Sequence, residues 1–213
     1  MKIKTFTVNP FQMNSYLYYC ENTKEGVIID PGYDTKYEQD DLLEHINGNN
    51  IRINYILMTH GHIDHILGNG FAVDNFAVPS YLHKDDLFLY ERGVEQAVLY
   101  GVQIPPLPEI KDFIDERLKI KVGNNELNFI HTPGHSPGGV CIVDHSERVV
   151  FCGDVVFQSS IGRTDLPGGD YETLISSINV NLFSKCSDEY KLYPGHMDST
   201  TVGEEKKSNP YLR

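Results

Sequence analysis

The sequence predicts a layered α/β domain whose working residues gather at one edge of its sheets. Three observations carry this. Short apolar, β-rich runs alternate along the chain with stretches of helical period. Four predicted strands run into small-residue turns that carry His or Asp, at His60, His135, Asp154 and His196. Those ends converge only if their strands are neighbours in one layered α/β domain with their carboxyl edges aligned, where the connecting loops build one site. Finally, 213 residues with 40% hydrophobic and 11% aromatic side chains suffice for one sizeable core, so residues 1–213 are read as a single domain.

In chain order, Lys2 to Asn9, Ser15 to Cys20 and Gly26 to Asp30 read as three strands of a meander, divided by Asn-Pro and Asn-Thr-Lys-Glu turns. Asp30-Pro31-Gly32 closes the third. Thr35 to Ile46 follows a helical period and stops at Asn47-Gly48. The apolar run Ile53 to Met58 is a buried strand. Ile66 to Phe76 is weakly helical, Val78 to Leu82 a short strand, and Asp85 to Tyr100 one helix. Ile104-Pro105-Pro106-Leu107-Pro108 is neither helix nor central strand, because proline lacks the amide hydrogen and fixes φ, so it reads as a surface lid, a crossing or a plain connector. Arg117 to Val122 and Glu126 to His131 form a hairpin, as do Val140 to Val143 and Arg148 to Cys152. Tyr171 to Phe183 is a helix and Tyr190 to Tyr193 a strand. Thr201 to Glu204 is a capping box opening a last short helix.

The densest chemistry lies in Thr59-His60-Gly61-His62-Ile63-Asp64-His65, directly after the strand Ile53 to Met58. His60 and His62 are two apart, so an extended backbone turns both imidazoles to one side, where they can share one ion. Gly61 lets the chain turn into a helix for which Asp64 is a good cap, and Asp64 and His65 leave in another direction, toward a second ion. Imidazole and carboxylate donors suit zinc, iron or manganese, and the lack of thiolate argues against a closed structural zinc site.

Composition narrows the function classes. The net charge of −12, with Lys and Arg dispersed, offers no footprint for a nucleic-acid backbone. No apolar run approaches the roughly 18 residues a membrane helix needs, and the amino end alternates like a strand rather than a signal peptide. A soluble cytoplasmic protein is expected, with Cys20, Cys141, Cys152 and Cys186 as buried free thiols.

His60-x-His62-x-Asp64-His65, followed by His135, Asp154 and His196 in these turns, resembles the metallo-β-lactamase fold superfamily over nearly the whole chain, in its glyoxalase II-like, single-domain branch. Asp30-Pro31-Gly32 and the ending Pro194-Gly195-His196…Thr201-x-Gly203-Glu204-Glu205…Asn209-Pro210 are similar to the same branch. The resemblance implies a four-layer αββα sandwich and two divalent ions, zinc first, with iron or manganese as alternatives. It implies His60, His62 and His135 on one ion, Asp64, His65 and His196 on the other, and Asp154 bridging, with Asp64 and Asp154 also assigned to catalysis. Two ions about 3.5–4 Å apart would acidify a bridging water into the nucleophile. The implied activity is hydrolysis of a small-molecule, anionic thioester of the hydroxyacylglutathione kind, and nothing implies an oligomeric state.

His131 is assigned a supporting or packing role rather than ligation, and Asp30 is either the orienter of a ligand imidazole or a turn residue. The chain departs from two-domain glyoxalase II enzymes, which append a glutathione-holding helical domain where only Met197 to Arg213 remain. Where those enzymes carry a Gly-Lys-Phe-Tyr-like segment, this chain has Gly162-Arg163-Thr164-Asp165, so Arg163 is the expected substrate anchor, with pairing to Asp165 as the structural alternative. That run also resembles single-iron persulfide dioxygenases. Lactonase or other small-ester hydrolysis and a non-enzymatic metal-binding module are the remaining alternatives. β-Lactam hydrolysis is disfavoured, since that branch often has Cys at the position of Asp154.

Overall fold

The computed structural model describes residues 1–212. Two six-stranded sheets pack face to face, and helices cover both outer faces, giving the αββα order. The first sheet holds β1 (Lys2–Val8), β2 (Met13–Tyr19), β3 (Glu25–Ile29), β4 (Arg52–Leu57), β5 (Ser80–His83) and β6 (Asp112–Ile114), with spatial order equal to chain order. Its first three strands form the predicted antiparallel meander, and β3 to β6 run parallel. Parallel neighbours need crossovers. These are α1 (Lys36–Gly48), then α2 (Ile63–Ile66) with α3 (Asn69–Phe76), then α4 (Leu87–Glu91) with α5 (Gly93–Tyr100).

The second sheet begins with β7 (Ile120–Val122), β8 (Asn125–His131), β9 (Val140–Asp144) and β10 (Val149–Gly153). A small hairpin, β11 (Val156–Phe157) and β12 (Ser160–Ile161), leads to a helical crossover. The crossover consists of α6 (Tyr171–Ser176), a wider π-type stretch Ser177–Leu182 and α7 (Phe183–Lys185). It returns the chain to β13 (Lys191–Pro194), parallel to β10, and then to β14 (Thr200–Thr201) and α8 (Val202–Ser208).

Alternation along β2 explains why it is buried throughout. Tyr16 and Tyr18 point between the sheets onto Phe151, while Met13, Leu17 and Tyr19 point outward beneath α1, against Leu42 and Ile46. The Tyr18 hydroxyl donates to Asp144 Oδ2 at 2.6 Å, so this inner layer holds no stranded phenol. All four cysteines are buried and unpaired. Among the described residues, no helix is long and apolar enough to cross a membrane.

Three details differ from the sequence reading. The expected helix from Asp85 to Tyr100 is broken into a turn, α4 and α5, with the break at Arg92, whose backbone leaves the helical region (φ −92°, ψ 17°). Ile104–Pro108 is a crossing. Its Ile104 and Leu107 pack on the cluster around Met58 and Ile66, Pro108 O accepts the Tyr90 hydroxyl at 2.7 Å, and none of its residues lines the cavity at the histidines. The four ligand-bearing strand ends come from both sheets rather than from one run of neighbouring strands, although β10 and β13 are adjacent. β4 lies in the first sheet, and β9 separates β8 from β10 in the second. A Val140 N to Thr59 O hydrogen bond of 2.9 Å stitches the two edges together.

Candidate metal centre

Each candidate ligand leaves the carboxyl end of a strand. His60, His62, Asp64 and His65 follow β4, His135 follows β8, Asp154 follows β10 and His196 follows β13. The extended His62 turns its imidazole to the same side as that of His60, with ring centroids 4.8 Å apart. His62, not Asp64, is the first flanking residue of α2. The Asp64 carboxylate does not cap, because it faces His196 Nε2 at 3.0 Å.

The donors fall into overlapping groups. His62 Nδ1 and His60 Nε2 lie 2.8 and 3.2 Å from His135 Nε2, forming one triad. Asp64, His65 and His196 form another. Asp154 stands between them, its Oδ2 3.6 Å from His135 Nε2 and 3.5 Å from His196 Nε2, and its Oδ1 3.4 Å from His65 Nε2. A tetrahedral shell with metal–nitrogen bonds of about 2.0–2.1 Å sets its donors about 3.3 Å apart, which these separations bracket.

The surrounding hydrogen bonds aim the rings. His135 Nδ1 donates to the Arg163 carbonyl at 2.8 Å, leaving Nε2 free. His60 Nδ1 donates to Thr59 Oγ1 at 3.1 Å, and Thr59 Oγ1 donates to Asp30 Oδ2 at 2.8 Å. The same Asp30 oxygen lies 3.0 Å from His65 Nδ1, so one buried carboxylate stands behind a ring of each triad. The turn at Asp30 has φ of 53°, and an Asp there combines tolerance of left-handed backbone with that contact. Asn14 Nδ2 donates to Pro194 O and Met197 O, and the Tyr16 hydroxyl to Pro194 O at 2.6 Å, fixing the His196 loop from β2.

The electrostatics fit a cationic occupant. Burial, together with the charges of His65 and His135, pushes His60 well below the usual imidazole range, and burial with His135 takes His62 down to about 3. Both are thus neutral donors. Burial opposes the charge on Asp154, yet His65, His135 and His196 hold its carboxyl well below the usual range. Asp64 is lowered by His65 and His196 against the same burial. His65 is pushed up against burial by Asp64, Asp30 and Asp154. Buried His65 Nε2 and Asp154 Oδ1 also lack hydrogen-bond partners, as donors of a metal site would.

The centre opens into a cavity of about 460 Å³, with Phe11, Ile63, Tyr100, Phe157, Ile161, Leu166 and Met197 as apolar lining. Phe11 and Tyr100 meet edge to face at 5.4 Å on one wall. The β11–β12 hairpin forms another and is held from behind. Buried Glu205 accepts from Ser159 N and Thr200 Oγ1, and Asn209 donates to Ser160 O, which gives the Glu205…Asn209 motif of the carboxyl end its work. Arg163 lines the cavity, but its guanidinium makes a two-point pair with Asp165 at 2.7 Å, and its side chain is 58% exposed.

The other histidines stand apart. His45 packs edge-on to Phe6 and Tyr19, and His145 meets the Tyr190 hydroxyl. His131 stacks on His83 at 4.3 Å and 12°, and its Nε2 faces Pro137 O at 2.9 Å. Asp85 is near this pair, but lone pairs confined to two parallel ring planes do not converge on one ion.

The sequence profile described as the Metallo-beta-lactamase superfamily matches residues 8–196. The chain belongs to this superfamily. It is 38% identical to hydroxyacylglutathione hydrolase GloC of Haemophilus influenzae over 221 aligned residues, covering 100% of this chain and 98% of that protein. Its structure is similar to the crystal structure of BLEG-1 B3 metallo-beta-lactamase, with TM-score 0.86, 34% identity and 99% coverage of both chains. It is equally similar to TTHA1623 in a di-iron-bound form, with TM-score 0.86, 35% identity and coverage of 98% of this chain and 100% of that one. Family and relative together support a metal-dependent hydrolase, with divalent metals implied and the His/Asp groups present to hold them.

Proposed function

We propose that this protein hydrolyses thioesters of small molecules with two divalent ions, zinc first, held by His60, His62 and His135 and by Asp64, His65 and His196, with Asp154 shared. The observation that carries this is the position of Asp154 Oδ2, within 3.6 Å of a donor from each triad. When bound, such a pair of ions supplies an acidified water and polarises a carbonyl. The chain's own residues do the rest. Asp30 and the Arg163 carbonyl keep the donor nitrogens aimed inward, and Phe11, Tyr100, Phe157 and Ile161 keep bulk water from the acyl group.

The choice of a thioester rests on the leaving group. Besides the candidate ligands, the cavity lining holds no carboxylate, imidazole or lysine that could protonate a leaving group, and the Arg163 guanidinium is paired with Asp165. A thiol, with its pKa of about 8.5, departs as thiolate without a donor, whereas an alkoxide or amine needs one. The GloC relative supports the same substrate class. The test is release of free thiol from S-lactoylglutathione and from a neutral acyl thioester, beside a lactone, a β-lactam and glutathione persulfide. Metal-dependent thiol release is expected to exceed the other activities. A dominant activity on any of the other three would overturn the reading, and the BLEG-1 similarity makes the β-lactam a necessary comparison.

Arg163 is proposed to hold the acidic end of an anionic thioester. An exposed ion pair contributes little, so the substrate carboxylate can exchange with Asp165 at small cost. Arg163→Ala should raise KM for an anionic thioester about tenfold, the scale of one charge-assisted hydrogen bond, and leave a neutral thioester unchanged. Equal losses on both, with a lower Tm, would assign Arg163 to support of its loop.

A further inference from the structure

Asp86 touches no candidate ligand side chain, yet it joins the loops that carry three of them. It follows β5 and the turn Lys84–Asp86, and it is fully buried. Its Oδ2 accepts from Gly61 N at 2.9 Å and from Ser136 Oγ at 2.7 Å, while Oδ1 accepts from Gly138 N. Gly61 lies between His60 and His62, and Ser136 directly follows His135. One carboxylate thus bridges the loop after β4 in the first sheet and the loop after β8 in the second. Both loops fit tightly against it. A side chain at Gly138 would meet the Asp86 carboxyl carbon at 2.8 Å, and one at Gly61 would meet Asp86 O at 2.9 Å. Close by, the His83–His131 stack packs the end of β5 against the end of β8.

The other triad is anchored differently. Asn9 Nδ2 donates to Asp64 O, Asp30 lies against His65, and Asn14 and Tyr16 hold the His196 loop, with Asp86 in none of these contacts. We infer that Asp86 is a positioning residue that sets the spacing of His60, His62 and His135, and so tunes the affinity of that triad for its ion independently of the Asp64, His65 and His196 triad. The inference rests on the two-ion reading above.

The test is cobalt(II) and zinc(II) titration of native protein, Asp86→Asn and Ser136→Ala, with chelator competition for affinity, the cobalt absorption bands to separate the two environments, and circular dichroism for folding. Asparagine keeps one acceptor oxygen and turns the other position into a donor facing donors, so the clasp opens while volume is conserved. The ion of the all-histidine triad should bind about 10–100-fold more weakly in Asp86→Asn, with the second ion unchanged. Ser136→Ala, which removes one of three hydrogen bonds, should shift the same ion in the same direction by less, and it decides the matter if Asp86→Asn fails to fold. Unchanged binding of the first ion in the folded variant, or equal weakening of both ions, would overturn the inference. Fewer than two ions in native protein would count against the two-ion reading instead, since the clasp is judged by the ratio of variant to native affinity.

Discussion

Asp154→Ala is expected to lower hydrolytic turnover by about 10³-fold or more, and His131→Ala by no more than about tenfold. The contrast follows from position. Asp154 faces His135, His196 and His65 across 3.4 to 3.6 Å, so its loss removes the carboxylate shared by both triads and leaves three imidazoles without their common counter-charge. Charge stabilisation worth several kcal/mol in the transition state corresponds to about three orders of magnitude in rate. His131 touches only its stacking partner His83 and the loop carbonyl of Pro137 near the centre, and losing a supporting imidazole of this kind costs at the low end of the range for outer contacts. Steady-state kinetics on both variants, with metal content measured in parallel, checks the pair. Equal losses would remove Asp154 from the shared position.

Gly195→Ala is expected to be nearly as damaging. A Cβ at Gly195 would run into Asp154 Oδ1 and would stand 2.6 Å from His65 Cε1. The backbone at Gly195 lies outside the left-handed region, so alanine is acceptable to the main chain and the obstacle is space alone. Its neighbours are candidate ligands held from behind by Asp30 and by the His196 loop, so the overlap of about 1–3 kcal/mol falls on ligand positions. Activity should fall by up to about 100-fold at unchanged concentration of metal, with a moderate loss of Tm. Gly48→Ala, at the end of α1 with open space around it, is the control and should leave both unchanged or slightly improve stability. Native activity in Gly195→Ala would mean that the His65 and Asp154 side chains are not fixed as described.

The legible parts of this chain are those where local pattern and tertiary need coincide. The β4 run into Thr59–His65, and the turns at His135, Asp154 and His196, are visible in sequence because each candidate ligand sits where a buried strand meets a loop. The two-residue spacing of His60 and His62 is visible for the same reason. Asp86 obeys the same rule, following β5, but the apolar residues after it blend into a helical period and hide the strand end. The orienting role of Asp30 depends on Thr59 and His65, close to thirty residues away or more, so the turn signal at Asp30-Pro31-Gly32 discloses the bend and not the contact. β6, β11, β12 and β14 have two or three residues each, too few for alternation to register. The π-type stretch Ser177–Leu182 is likewise set by tertiary contacts. Ser177 donates to Pro133 O and Asn181 to His131 O, pressing the crossover against the loop that carries His135.

The most direct test of the central claim is elemental analysis of protein purified without added metal, repeated on Asp154→Ala and on His196→Ala. Two ions per native chain are predicted, with one retained in His196→Ala, where the His60, His62 and His135 triad is intact. A single tightly held iron in native protein, unchanged by His196→Ala and accompanied by activity on persulfide but not on thioesters, would contradict it.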